Sequence, residues 1–233
     1  KFLEIIFSYN TKAYININDY DYNFTKYKIK KKSIKINGVG IDISKKIFKQ
    51  NKIKKHLNIG IIGAYKKNKG YGDLIKICKD KRINNKANFI CYGYGNTSKY
   101  LKVINKNKLK NIFINNFTDN IYNAIDNFDL LLHLSYREGL PVSVMQALIR
   151  GKPVICYNVR GCIDLIKNSI NGYVVSLGNT DKVIDVINNL SKNDDILEKL
   201  SLNAYNSINE EYSTKNISQK IYKYINEVWI FYI

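Results

Sequence analysis

The chain's 233 residues suffice for one large α/β domain, or one domain and a remnant of another, and they can bury a full core. Its formal charge of +19, from 38 Lys and Arg against 19 Asp and Glu, raises nucleic acid or an anionic membrane as partners. The excess is almost all lysine, scattered among Asn, Ile and Tyr, with arginine only at Arg82, Arg137, Arg150 and Arg160; a nucleic-acid binder more often clusters Arg with aromatics, so no nucleic-acid partner is expected and peripheral contact with an anionic membrane is favoured over it.

Cys78, Cys91, Cys156 and Cys162 have no C-x-x-C spacing, and only His56 and His133 could join them as ligands. Buried, reduced thiols are therefore expected, with no metal and no cofactor. No apolar segment reaches membrane length; the tail Val228–Ile233 is far too short. A cytoplasmic location is the expectation, with the inner face of the cell membrane as the place of any peripheral contact.

In chain order, strands are predicted over Lys12–Asn18, Ser33–Ile36, Asn58–Ile62, Ala87–Cys91, Ile112–Ile114, Leu130–Leu134, Val154–Cys156 and Gly172–Val175. Helical spacing falls between them over Gly72–Asp80, Thr97–Asn105, Asn120–Asn127, Val142–Arg150 and Cys162–Lys167. Helices follow over Thr180–Leu190, Asp195–Ile208 and Thr214–Glu227, the last with a cap at Ser213–Thr214. The alternation predicts an α/β fold, a Rossmann-like doubly wound parallel sheet with C-terminal helices.

The most informative run is Ser135–Ile155. An apolar strand ends in the charged turn Arg137-Glu138-Gly139, and Pro141 stands at the expected first helical position, where its missing N–H costs nothing. Ligands bind beyond the carboxyl ends of parallel strands, so the amides of Val142, Ser143 and Val144 are expected to face an anion. Gln146 lies five residues past Pro141, about 7.5 Å along a helix, roughly the reach from a diphosphate to the ribose of a nucleotide.

Arg137-Glu138-Gly139-Leu140-Pro141, Met145-Gln146-Ala147, Gly151-Lys152-Pro153-Val154, Arg160-Gly161-Cys162-Ile163-Asp164-Leu165-Ile166 and Asn171-Gly172-Tyr173-Val174-Val175 occur in that order. This composite resembles the C-terminal donor-binding half of the retaining GT-B glycosyltransferases of family 4 (group 1), capsular and exopolysaccharide type. Their mark is a pair of Glu residues separated by seven positions, here Glu138 and Gln146. Tyr14–Tyr22, followed by Phe24 and Lys26, resembles the last strand and helix of that family's N-terminal domain, and Gly38-Val39-Gly40-Ile41-Asp42 its interdomain connection. The resemblance divides the chain into a remnant of the N-terminal domain (1–36), a donor-binding domain (37–212) and a crossover helix (213–233). With Lys1 in place of Met and two Rossmann-like halves needed, an N-terminal truncation is expected, leaving the chain alone weak in donor binding and inactive.

The same resemblance implies retaining transfer of a sugar from a UDP- or GDP-sugar to a lipid-linked or polysaccharide acceptor. Glu138 would contact the donor sugar and Lys69 would neutralise the departing diphosphate, with Gly139 and the amides after it, at Leu140, Val142 and Ser143, also binding the donor. Gly93 and Gly95 would border the base, and Gln146 would meet the ribose. An amide donates through one atom and accepts through the other, so Gln146 departs from the family's carboxylate; it is expected to cost about 1–3 kcal/mol of donor binding if nothing compensates. His133, on an apolar strand, reads as a satisfied core imidazole and not as a base. Two other readings stand beside this one: a non-catalytic remnant, and a basic nucleic-acid-binding module.

Overall fold

The structure is a computed structural model that describes residues 2–48 and 56–229. A small N-terminal unit comes first: α1 (Phe2–Phe7), β1 (Ala13–Asn16), α2 (Asp19–Asn23), a π-helical turn over Phe24–Lys28, and β2 (Lys32–Lys35). β1 and β2 pair in parallel, with Tyr14 opposite Ser33. The first strand is shorter than its apolar pattern suggests because Asn18 caps α2, its side chain accepting from the Asp21 amide at 2.8 Å.

The main body alternates as expected: β3 (Leu57–Ile62), α3 (Tyr71–Lys79), β4 (Ala87–Tyr92), α4 (Ser98–Lys106), β5 (Ile112–Asn115), α5 (Ile121–Asp126), β6 (Leu130–His133), α6 (Val142–Leu148), β7 (Val154–Tyr157), α7 (Cys162–Leu165) and β8 (Gly172–Val175). These strands form one parallel sheet in the order β5-β4-β3-β6-β7-β8. Every residue of β6 and β7 is buried, as a sheet covered on both faces requires. The four cysteines are free and buried in that interior.

Strand order reverses between β3 and β6, so the loops leaving their carboxyl ends, 63–70 and 134–141, diverge around a crevice. Gly70 sets how closely they meet. It adopts φ +78°, and a Cβ there would lie 2.1 Å from the Leu134 carbonyl oxygen. Across the loops, the Tyr136 amide donates to the Asn68 carbonyl at 2.9 Å. Pro141 is not the first helical residue. Its ψ of 119° is extended, so it caps α6 and its carbonyl accepts from Val144 and Met145 at 3.2 and 3.3 Å.

α8 (Thr180–Leu190), α9 (Asp194–Asn206) and α10 (Thr214–Trp229) complete the chain. Ser213 caps α10, accepting from the Asn216 amide at 3.1 Å. Along α10, Ile217 and Tyr224 are buried, whereas Tyr222 and Ile225 are exposed. Tyr224 faces the N-terminal unit, where Lys32 stands over its ring at 5.8 Å and donates to the Glu227 carbonyl. The side chain of Trp229 and residues 230–233 of the tail lie outside the described residues.

Gly70→Ala is expected to cost about 1–3 kcal/mol through backbone strain and the collision with Leu134, read as a lower urea midpoint. An unchanged midpoint would contradict the close loop packing.

Candidate functional site

Glu138 follows β6 by five residues and is folded back over the strand's end. His133, the last residue of β6, places Nε2 3.1 Å from Glu138 Oε1. From the opposing loop, Lys69 Nζ donates to the same oxygen at 2.6 Å. Lys69 reaches it because residues 67–69 form a 3-10 turn that Gly70 ends in the left-handed region. The expected sugar contact and the expected diphosphate cation therefore meet each other at the sheet's switch point.

The carboxylate is largely buried, 11% exposed. Burial alone would raise its pKa, but the bond and charge from His133, then bonds from Lys69 and Ser135, hold it down at about 2. Burial would likewise lower His133, yet hydrogen bonds with the Cys162 thiol and Glu138 push it up to about 9. At neutral pH the site holds a carboxylate between two cations. His133 is a core imidazole, as its strand suggests, but its bond to Glu138 makes it part of the site.

The glycine turn is gripped from several sides. Gly161, at φ +79°, brings its Cα against the Gly139 carbonyl, where a Cβ would approach to 2.0 Å. Buried Asn18 of the N-terminal unit donates to that same carbonyl at 3.1 Å. The Asp19 amide donates to Asp164 at 2.7 Å, and Arg160 pairs with Asp21 at 2.8 Å. None of these contacts across more than a hundred positions was visible in local patterns. Behind the turn, Tyr157 donates to buried Asp73 at 2.9 Å, and Tyr136 donates to the same carboxylate.

Beside this cluster lies a cavity of about 340 Å³ lined by Ile62, Gly63, Gly93, Thr118, Asp119 and Gln146, among others. Tyr92, Tyr94 and Phe117 add aromatic surface. Gln146 is half-buried and lines this cavity. Gly93 lines it; Gly95 does not, turning at φ +114° toward Tyr65. Leu140 is buried beneath the loop, and Val142 and Ser143 are half-buried at the start of α6. The Val144 amide is taken by Pro141, so of the three amides expected to face an anion, only those of Val142 and Ser143 lack an acceptor among the described residues. No group of three or more His, Cys, Asp and Glu among those residues is arranged to hold a metal ion, and no described helix is long and apolar enough to cross a membrane.

The family profile for glycosyl transferases group 1 matches residues 42–207. The chain belongs to this family. It is 31% identical over 140 residues to a poly(ribitol-phosphate) alpha-N-acetylglucosaminyltransferase of Staphylococcus aureus, covering 59% of this chain and 28% of that protein. It is 28% identical over 123 residues to a galactosyltransferase of Escherichia coli described as acting on alpha-D-GlcNAc-diphosphoundecaprenol, covering 52% and 32%. The chain thus spans less than a third of the length of either in these matches. In fold it is similar to HepE of Anabaena, solved with UDP and glucose: TM-score 0.78 and 17% identity, over 93% of this chain and 63% of that one.

A group held charged by folding makes stability depend on pH across the window between its ordinary and shifted pKa. His133 is raised, so its contribution is complete below about pH 6.5 and is lost as pH rises through 9. The melting temperature is expected to fall over that range, and less so in His133→Asn. Parallel curves for the two proteins would contradict the His133–Glu138 pairing.

Proposed function

We propose that this glycosyltransferase domain holds a nucleotide diphosphate sugar and transfers its sugar, with retention at the anomeric carbon, to a hydroxyl of a lipid-linked or polymeric acceptor. The observation that carries the reading is Lys69, Glu138 and His133 meeting at the switch point beside a cavity that Gln146 and Gly93 line. Such crevices take ligands at the carboxyl ends of strands.

Each group has a task the chemistry needs. The bond from the anomeric carbon to the diphosphate breaks, the acceptor oxygen takes its place, and negative charge grows on the departing phosphate. Lys69 and the amides following Gly139, at Leu140, Val142 and Ser143, stabilise that charge. Glu138 orients the sugar through its hydroxyls. Gln146 binds the ribose, and Gly93 and Gly95 shape the base pocket, with Gly93 at its wall. His133 keeps Glu138 ionised and oriented. The E. coli and S. aureus relatives, whose names give a lipid diphosphate and a polyol phosphate polymer as acceptors, support the acceptor class. HepE was solved with UDP, which makes UDP the first nucleotide to test and GDP the second.

In this reading residues 1–36 belong to an N-terminal GT-B half, 37–212 bind the donor, and 213–233 cross back. The separate two-stranded sheet and the packing of Tyr224 toward it support that division. The lysine excess suits contact with an anionic leaflet near such acceptors. One observation favours a second reading, a non-catalytic remnant of such an enzyme: residue 146 is Gln, where the resemblance implies a carboxylate.

Calorimetry with UDP and a UDP-sugar tests the assignment. Lys69→Ala is expected to weaken UDP by about tenfold, the loss of one charge-assisted contact. Glu138→Ala should weaken the UDP-sugar more than UDP, because its contact is with the sugar. Equal losses for both ligands would contradict the role given to Glu138.

A further inference from the structure

Asp73 is the third residue of α3, where an acid ordinarily serves the free amides of a helix. Its carboxylate is engaged elsewhere. Oδ2 accepts from the Tyr157 hydroxyl at 2.9 Å and from the Tyr136 hydroxyl, and Oδ1 accepts from Lys76 Nζ at 3.1 Å. Only 4% of Asp73 is exposed, and the rings of Tyr136 and Tyr157 meet edge to face with centres 5.8 Å apart. One buried oxygen therefore joins α3, the end of β7 and the loop that carries Glu138. Tyr136 stands two residues before Glu138 and is held at both ends, its amide donating to the Asn68 carbonyl at 2.9 Å and its hydroxyl to Asp73. Packing alone does not fix the ring. It is 41% exposed and lines a second cavity, of about 530 Å³, between the turn at Lys67 and Asn68 and the start of α3.

We propose that Asp73 is a positioning residue for the donor sugar: by holding the Tyr136 hydroxyl it fixes the loop that presents Glu138. The inference rests on the nucleotide-sugar reading above. Hydrogen bonds to sugar hydroxyls tolerate distances over only about 0.5 Å. With the hydroxyl released, the ring has the second cavity to move into, and the loop would have to be ordered again each time a sugar binds, at a loss of affinity. An ionised acceptor holds a phenol more firmly than a neutral one. The bond to Asp73 pushes the Tyr136 hydroxyl up to about 12, which keeps it a donor throughout the neutral range. Tyr157 braces the same oxygen from β7, and Lys76 meets the other. The residues given to the nucleotide stand on other elements, Gln146 on α6 and Gly93 after β4. Loosening Tyr136 therefore separates recognition of the sugar from recognition of the nucleotide.

The test is calorimetry on the whole 233-residue chain with UDP, GDP and their glucose, galactose, mannose and N-acetylhexosamine derivatives. In the parent, one sugar nucleotide should bind more tightly than its bare nucleotide. Tyr136→Phe keeps the ring and removes the hydroxyl. It should lower that affinity ratio about three- to tenfold, the worth of one misplaced hydrogen bond, and change the bare nucleotide by less than about twofold. Asp73→Ala should lower the ratio equally, and adding Tyr136→Phe to it should do nothing more; if Asp73→Ala does not fold, Tyr136→Phe decides alone. Tyr157→Phe takes a hydroxyl from the same carboxylate but leaves the loop tied, so it should lower the urea midpoint and keep the ratio. In a Glu138→Ala background Tyr136→Phe should leave the ratio unchanged. An unaltered ratio in Tyr136→Phe overturns the inference. So does an equal fall in Tyr157→Phe or in the Glu138→Ala background, either of which would mark a general loosening. A parent that binds UDP or GDP but none of the sugar nucleotides more tightly overturns the sugar contact of Glu138 and the inference with it. Absence of binding by every nucleotide overturns the nucleotide reading itself.

Discussion

Glu138 is a carboxylate taken out of water at the end of a fully buried strand, and the site is arranged around keeping it charged there. Desolvating an ion costs several kcal/mol unless opposite charge and hydrogen bonds offset it. Lys69 and His133 supply both, from two elements far apart in sequence. They can do so only because the sheet reverses its order between β3 and β6, which makes the loops after those strands neighbours across a crevice. Loop proximity, in turn, depends on Gly70 lying against the Leu134 carbonyl and on the Tyr136 amide bonding to Asn68. The ion cluster, the crevice and the glycine turn are one constraint seen at three scales.

The same pairing shapes the chemistry. Lys69 is bonded to Glu138, so in the proposed reading a diphosphate would draw the ammonium partly away as it binds. His133 remains behind to hold the carboxylate, and its raised pKa keeps it cationic at neutral pH. In that reading the cluster shares its positive charge with the ligand while Glu138 stays ionised to meet sugar hydroxyls.

Much of the fold was legible because buried parallel strands write themselves as short apolar runs. Leu130–His133 and Val154–Tyr157 are such runs, and the helical stretches between them keep their spacing. Glu138, Lys69, Gly93 and Gln146 were singled out through the family resemblance, and all four stand around the crevice or its cavity. What local patterns could not carry was partnership. Nothing near Asn18 in sequence points to the Gly139 carbonyl, and nothing near His133 distinguishes a packed imidazole from one bonded to Glu138. Which side of the last helix is covered likewise depends on the N-terminal unit opposite Tyr224, which no local periodicity shows.

The central claim is that the crevice between the Lys69 and Glu138 loops receives a nucleotide diphosphate. Amide NMR shifts followed during a UDP titration address it most directly. The account predicts saturable shifts gathered on residues 63–70, 93–95 and 138–146, with the His133 ring signals moving as Lys69 is drawn toward the ligand. Shifts located elsewhere on the sheet, or a spectrum that UDP and GDP both leave unchanged, would contradict it.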